Sequence, residues 1–191
     1  MIEDDDNSDI IEGVDLTGES YSVKQSMVRN AYSVLDSEGS EILETKQKLF
    51  KMKEEFPFLD PDGEEVFRVK AAQVMDISGD YSITDPEGEE LAVLTQDFTI
   101  LTHRWRIKDS GGKLLAKVES RGKVVGLLRF LSDIFQLLPH KYTIEDEGGE
   151  EIGSIKGKLG LRDRYVINIG DIDKKEIVLA AAITIDALEG N

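Results

Sequence analysis

A pattern of eleven positions occurs five times along the chain and limits the possible folds more than any other feature. It reads aromatic, any, apolar, any, Asp, any, any, Gly, any, any, apolar. Successive aspartates are 24, 25, 24 and 37 residues apart, so the repeating unit is one turn plus a connection. The five copies run from Tyr32 to Gly39, Phe56 to Gly63, Tyr81 to Gly88, Trp105 to Gly112 and Tyr142 to Gly149, and the apolar residues that complete them are Ile42, Val66, Leu91, Leu115 and Ile152.

Each copy of the pattern predicts a β-hairpin. The aromatic residue and the apolar residue two positions later share one face of a strand. The Asp then accepts hydrogen bonds from backbone N–H groups just ahead, and the Gly closes the turn with a positive φ. The returning strands are predicted at 42–47, 65–71, 90–96, 114–119 and 151–156, and two flanking strands at 21–27 and 164–169.

Five hairpins and two flanking strands make twelve strands in all. An antiparallel sheet of this size splits into a sandwich or closes into a barrel. The C-terminal segment favours a barrel, because Ile177 to Leu188 is apolar around nearly the whole circumference of a helix and must be buried on all sides. Twelve strands spaced ~4.8 Å and tilted ~40° enclose a lumen of ~14 Å, and a small-residue helix is ~10 Å wide. We therefore predict a mainly β protein, a closed antiparallel barrel around a buried C-terminal helix that Asp173 caps.

The formal charge of −16 is unevenly distributed along the chain. Residues 1–20 carry eight acids and no base, which leaves 31 acids against 23 bases in residues 21–191. We expect residues 1–20 to be a disordered acidic tail and residues 21–191 to form a single barrel domain. The acidic start does not fit a signal peptide, and no apolar run reaches the ~20 residues of a membrane-spanning helix. These features predict a soluble cytoplasmic protein. The negative average surface argues against nucleic acid as a partner and against nonspecific attachment to an anionic bilayer through the whole surface, but it leaves a local basic face possible.

The longest connection, residues 122–139, carries apolar residues at helical spacing and ends at Pro139. Two interpretations are open. The segment forms either a short amphipathic helix that plugs one end of the barrel, or a helix that leaves the barrel to contact a membrane or a partner.

The hairpin pattern, together with His103 to Ile107 in the fourth copy and Asp163 to Ile169 before the helix, resembles the LURP-one-related family, most closely its prokaryotic branch. This family is part of the wider tubby C-terminal-like and phospholipid-scramblase-like group. The resemblance covers roughly residues 21–191 and implies a twelve-stranded barrel around a C-terminal helix, in agreement with the strand count. It implies no single activity, since related tubby domains bind phosphoinositide headgroups and scramblase relatives are associated with lipid movement. No functional residue is carried over from the family.

Residues suited to catalysis or metal binding are few. The chain has no cysteine and only two histidines, His103 and His140, which excludes thiolate and multi-histidine metal centres and leaves no catalytic triad. Asp60 to Gly63 resembles a calcium loop, but its Gly is fourth rather than sixth and its flanks are strands. We expect no enzymatic activity, cofactor or metal. Asp186 in the apolar helix is expected to need a hydrogen bond or an arginine partner at the barrel mouth.

Basic residues concentrate in two places. Lys51 and Lys53 lie on one connection, and Arg104, Arg106 and Lys108 occupy alternate positions of a predicted strand, where they should project outward. Outward strand positions are ordinarily charged, so a plain solvated surface is one interpretation. The functional interpretation is a site for an anionic lipid headgroup formed by these five residues.

Together these observations predict a non-enzymatic interaction module, peripheral to a membrane, whose partner is an anionic phospholipid or another protein. One alternative is a scramblase-like lipid-handling protein, which ranks lower because the apolar helix is predicted to fill the barrel; a helix outside the barrel would reverse this ranking. Another is a small-molecule-binding barrel, which requires a lumen that Ile177 to Leu188 does not fill. The sequence leaves the oligomeric state open.

Overall fold

The computed structural model describes residues 11, 14–26, 31–45, 55–71, 80–98, 103–120, 141–157 and 164–189. The returning and flanking strands lie within two residues of their predicted bounds. The elements within these ranges are β1 (Ser20–Ser26), β2 (Ala31–Leu35), β3 (Glu41–Thr45), β4 (Glu55–Leu59), β5 (Glu65–Ala71), β6 (Asp80–Thr84), β7 (Glu90–Phe98), β8 (His103–Asp109), β9 (Leu114–Ser120), β10 (Lys141–Glu145), β11 (Glu151–Gly157), β12 (Arg164–Ile169) and α1 (Lys175–Glu189).

The strands form a closed antiparallel barrel, as predicted. Each strand pairs with its neighbours in sequence, and β1 pairs with β12 to close the ring. In this joint Tyr21 lies opposite Ile167 and Val23 opposite Tyr165. Because consecutive strands are antiparallel neighbours, the connections alternate between the two ends of the barrel. The five tight turns therefore all lie at one end, which we call the turn end. We call the other end, where β1 finishes and β2 begins, the connection end.

The last apolar residue of the repeated pattern has a specific role in each hairpin, because it is the extra residue of a β-bulge. In the first hairpin Val34 pairs with Leu43 and Leu35 with Glu41, so Ile42 has no opposite residue. The other four hairpins show the same register shift. A bulge bends its strand and redirects a side chain. The five bulge residues accordingly are buried or pack against the core: Ile42, Val66, Leu91, Leu115 and Ile152.

The aromatic residues of the pattern line the inside of the barrel. Four of them are almost completely buried: Tyr32, Phe56, Trp105 and Tyr142. The fifth, Tyr81, is partly buried and packs against Trp105 with ring centroids 6.0 Å apart. Large side chains at equivalent positions of successive hairpins thus fill the space between the wall and the central helix.

Helix α1 occupies the interior of the barrel. Residues Ile177 to Ile185 are all buried, with at most 3% of any of them exposed. The helix lies against β12 and also against β7, β8 and β9, which are separated from β12 by β10 and β11. Burial on every side requires apolar or small residues throughout, and the single hydroxyl in this stretch, Thr184, donates to the carbonyl of Ala180 at 2.8 Å. The predicted central helix is therefore confirmed.

The start of the helix differs from the prediction. Val178 N–H donates to Lys174 O, and the helix begins at Lys175, so Lys174 rather than Asp173 occupies the cap position. Lys174 has a φ of 53°, a left-handed conformation that lysine rarely adopts. The prediction that Asp173 caps the helix was wrong because the sharp turn into the barrel places the first helical bond one residue later.

The described part of the N-terminal segment packs against the barrel. Ile11 and Leu16 are each 2% exposed and belong to the hydrophobic core. Lys175 Nζ donates to Thr17 O at 2.9 Å, which ties this segment to the first turn of α1. The expectation of a tail outside the fold thus does not hold for these residues, because two apolar side chains among the acids are enough to anchor the segment. Residues 1–10, 12 and 13 lie outside the described residues, as does the predicted helix within 122–139.

Among the described residues, one joint of the barrel has far fewer paired residues than the others. Within that part of the chain β3 and β4 share one residue pair, Glu44 with Leu59, whereas β7 and β8 share seven. Backbone N–H groups point alternately to the two neighbouring strands, and Asp60 N–H donates to Glu64 O on the β5 side. An N–H group at position 57 would therefore point toward β3, but this position is occupied by Pro57, which has no N–H. The joint consequently lacks one backbone hydrogen bond that any other residue type at position 57 could donate.

We expect hydrogen exchange to report this joint. Backbone amides in peptides covering β3 should exchange faster than those covering β7 and β8, because local opening requires fewer hydrogen bonds to break. Native-state exchange followed by mass spectrometry measures the difference directly. Equal protection of the two regions would contradict a weak joint between β3 and β4.

A glycine in β11 provides a test of the strand register. A Cβ at Gly153 would lie 2.5 Å from the carbonyl oxygen of Asn168 and 3.2 Å from Ile144 Cδ1. We expect Gly153→Ala to reduce the free energy of unfolding by about 1–3 kcal/mol, because the backbone of β12 must move. Denaturant titration measures this loss.

The matched control is Gly170→Ala. There a Cβ would lie 3.5 Å from Ile152 O, an ordinary contact, and Gly170 is not among the glycines with positive φ. This substitution should be neutral or stabilise the protein by up to about 1 kcal/mol. Equal effects at the two positions would show that β11 and β12 are not in this register.

Candidate functional site

The five turn aspartates are engaged by the backbone. In each hairpin one carboxylate oxygen accepts the N–H of the residue four positions later, at distances from 2.7 Å in Asp85 to 2.9 Å in Asp36. The glycine three positions after each aspartate has a φ between 82° and 93°. The turn interpretation of this pattern is therefore confirmed. Within the described residues, no group of three or more His, Asp or Glu side chains is arranged to hold a metal ion.

One of these aspartates has an additional partner. Asp109 Oδ2 accepts a hydrogen bond from Lys174 Nζ at 2.7 Å, and Asp109 is only 8% exposed. The ammonium group of Lys174, helped by the N–H of Lys113, lowers the pKa of Asp109 below its ordinary value of 3.8. The pair joins the fourth hairpin to the residue just before α1, so it fastens the start of the central helix to the wall at the turn end.

Buried tyrosines are the other ionisable groups of the interior with perturbed pKa values. Burial raises the pKa of Tyr21 to about 12, and the nearby Asp15 carboxylate adds to this shift. Burial likewise raises the pKa of Tyr81. Both phenols stay protonated at neutral pH, so neither is suited to act as a general base. The perturbed groups of the described interior thus serve packing rather than proton transfer.

The predicted basic strip on β8 does project outward. Arg104, Arg106 and Lys108 alternate with Trp105 and Ile107, which are buried. The outward direction inferred from the sequence is therefore correct for these three residues.

The two arginines of this strip are paired with acids on neighbouring strands. Arg106 lies 2.6 Å from Asp97 Oδ1 on β7, and Arg104 forms an ion pair with Glu119 on β9. Of the three basic residues on β8, Lys108 is the one without an ion-pair partner among the described residues. The strip therefore offers much less positive charge than its sequence suggests.

The remaining candidates from the sequence fall outside the described residues. These are Lys51, Lys53 and His140, and the side chains of His103 and Asp186. The structure therefore brings together Arg104, Arg106 and Lys108 on one strand, and the grouping of these residues with Lys51 and Lys53 stays a prediction.

Sequence analysis missed three residues that decide the electrostatics of these sites: Asp97, Glu119 and Lys174. Arg104 on β8 lies directly opposite Asp97 on β7 and directly opposite Glu119 on β9. The repeat itself contained the signal, because aligning the hairpins predicts which positions of adjacent strands face each other. No such signal exists for Lys174, which meets Asp109 across 65 residues of chain.

The fold defines the class of protein: a closed antiparallel barrel with a helix along its interior. A model of the LURP-one-related family matches residues 41–186, and the chain belongs to this family. An Arabidopsis thaliana protein solved by X-ray crystallography has the same fold, with a TM-score of 0.54 and 10% sequence identity over 87% of this chain and 90% of that one. No curated protein matches the chain. Within the described residues, no helix is long and apolar enough to cross a membrane.

The ion pair of Asp109 predicts a pH-dependent stability. Because Lys174 lowers the pKa of Asp109 in the folded protein, the pair stabilises the fold above the ordinary carboxyl pKa of 3.8 and this contribution disappears as the pH falls through the folded-state pKa. Near neutral pH we expect Asp109→Asn to cost about 1 kcal/mol more than Asp146→Asn.

The control residue, Asp146, accepts the equivalent turn hydrogen bond from Glu150 N–H. Denaturant unfolding of both variants at neutral and acidic pH tests the difference. The excess cost at position 109 should vanish at acidic pH and should also vanish when Lys174 is replaced by Met. An excess that is unchanged in either case would disprove the stabilising ion pair.

Proposed function

We propose that this protein is a non-enzymatic binding module that recognises anionic phospholipid headgroups with the outer wall of its barrel, peripherally to a membrane surface. The observation that carries the proposal is the filled interior. Nine consecutive residues of α1, Ile177 to Ile185, are buried inside the ring of strands. Small-molecule sites are usually concave cavities, and here the space inside the barrel is taken by the helix. Recognition by the described residues then has to occur on the outside.

The chemistry of the described residues agrees with binding rather than catalysis. The five turn aspartates are engaged by backbone N–H groups, and Asp109 is also paired with Lys174. The buried tyrosines have raised pKa values. A catalytic group needs a pKa near the working pH and a free position next to a substrate.

The distribution of charge favours an anionic partner despite the formal charge of −16. Many of the described acids lie at or beside the tight turns, for example Glu38, Asp62, Glu87 and Glu147, which are all exposed. A strand of five to seven residues is about 17–23 Å long. That is more than twice the Debye length of ~8 Å at physiological ionic strength, so the turn end does little to repel an anion at the connection end.

The two alternative functions derive less support from the fold. A helix outside the barrel would favour a scramblase-like protein, and a small-molecule-binding barrel requires an unfilled lumen. The burial of α1 counts against both.

Vesicle co-sedimentation of the full chain tests the proposal. We expect the protein to pellet with phosphatidylcholine vesicles that contain phosphatidylserine, and not with vesicles of pure phosphatidylcholine. Added salt should release it, because the attraction is electrostatic. Equal and negligible pelleting with both vesicles in low salt would refute the proposed function.

A further inference from the structure

Four basic residues lie at the connection end of four adjacent strands. They are Lys141 on β10, Lys156 on β11, Arg164 on β12 and Lys24 on β1. Lys141 lies directly opposite Lys156, and Arg164 lies directly opposite Lys24. Val166, two residues after Arg164, lies opposite Lys156 and links the two pairs. We call these four residues the basic arc.

The side chains of the basic arc point away from the core. Each has a neighbour in its strand that faces inward: Val23, Ile155 and Tyr142 are buried, and Tyr165 packs against the core. Lys141, Lys156 and Arg164 are exposed, and Lys24 is partly exposed. The alternation of a strand then places all four on the outer wall.

Among the described residues, no member of the basic arc has an ion-pair partner. Glu119 on β9 lies opposite Thr143, diagonal to Lys141, but its carboxylate is paired with Arg104. The neighbours of the arc on the outer face of its own strands are uncharged: Ser22, Thr143, Ser154, Val166 and Asn168, of which Thr143 and Ser154 are buried. The acids of β10 and β11, Glu145 and Glu151, lie at the turn end, four and five residues away, which is about 13–17 Å and beyond the Debye length.

The contrast with β8 shows that this arrangement is not the rule on the outer wall. There the register places Asp97 and Glu119 beside the two arginines, and both are paired. In a chain with 39 acids and 23 bases, the arc groups four bases without an ion pair among the described residues on four adjacent strands. An unpaired cluster of this kind retains its charge for an external anion.

We propose that the basic arc is the surface that binds an anionic lipid bilayer. The inference rests on the proposed function and adds to it the site and the orientation of the protein on the membrane. The arc spans three of twelve strand intervals, about 14 Å around the wall of the barrel, which is too wide for a single phosphate to contact all four bases. Its ends fall about 4 Å behind a tangent plane on a barrel of this size, and the long flexible stems of lysine and arginine bridge that gap.

The orientation follows from the position of the arc along the barrel axis. A barrel lying flat on this wall would bring the turn-end acids of the same strands as close to the bilayer as the arc. The barrel axis therefore has to tilt, so that the connection end of β10, β11, β12 and β1 approaches the headgroups and the acidic turns move away from them. The molecule would therefore dock with its charge dipole aligned to the negative surface. A protein with evenly mixed charge would have no preferred orientation.

Two fourfold variants with equal net charge test the site. The first replaces the arc: Lys24→Gln, Lys141→Gln, Lys156→Gln and Arg164→Gln. The matched control replaces four outward bases elsewhere: Arg104→Gln, Arg106→Gln, Lys108→Gln and Lys117→Gln. Each variant changes the formal charge from −16 to −20. Binding to phosphatidylserine-containing vesicles is measured for both and for the unmodified chain, with circular dichroism as a check of folding.

One basic residue near an anionic surface changes affinity by about fivefold. We expect the arc variant to bind at least about a hundredfold more weakly than the unmodified chain, and the control variant to bind within about tenfold of it. If the fourfold arc variant does not fold, replacing the exposed pair Lys141 and Lys156 alone should still weaken binding about twentyfold, compared with Arg106 and Lys108 as control.

The outcomes separate this inference from the proposed function. If the unmodified chain binds anionic vesicles and the arc variant binds equally well, the arc is not the site although the function stands. A larger loss in the control variant would place the site on β8 instead. If the unmodified chain does not bind anionic vesicles at all, both proposals fail. If the protein binds a DNA oligonucleotide more tightly than vesicles at the same salt concentration, the partner of the basic arc is nucleic acid and not a bilayer.

Discussion

The structure depends on one constraint: an apolar helix that has no polar face must be surrounded. Residues Ile177 to Ile185 present apolar or small side chains in every direction. A single sheet or a sandwich covers such a helix on one side, whereas a closed ring of strands covers it completely. The three consecutive alanines, Ala180 to Ala182, keep the helix thin enough for a ring of twelve strands. The barrel and its helix are therefore two parts of one hydrophobic core rather than a container and its contents.

The repeated hairpin is the element that makes this ring possible. Each copy supplies a tight turn, an inward aromatic residue and a bulge that adds curvature to its strand. The wall is not uniform, however. Pro57 deprives the joint between β3 and β4 of a hydrogen bond, and Lys174 pairs with Asp109 so that the fourth turn also holds the helix. A regular repeat thus carries single substitutions that give individual hairpins separate structural roles.

Because α1 fills the interior, the proposed binding takes place on the outer surface, where charge is the main variable. Two groups of outward bases among the described residues differ in their surroundings. Arg104 and Arg106 on β8 are balanced by Glu119 and Asp97, whereas no described acid forms an ion pair with the basic arc. Membership of the LURP-one-related family and the likeness to the Arabidopsis protein account for the fold. The electrostatic asymmetry belongs to the residues of this chain.

Sequence alone determined the hairpins, the strand count, the central helix and the outward direction of Arg104, Arg106 and Lys108. Local rules govern these features, since turn residues, strand alternation and helix periodicity each depend on a few adjacent positions. Only the tertiary structure decided that Ile11 and Leu16 join the core, that Lys174 meets Asp109 and that four bases from β1, β10, β11 and β12 form one arc. Lys24 and Lys141 are separated by more than a hundred residues, and they become part of one surface because β1 closes the barrel against β12. Contacts of that kind depend on the closure of the whole ring, which no local pattern contains.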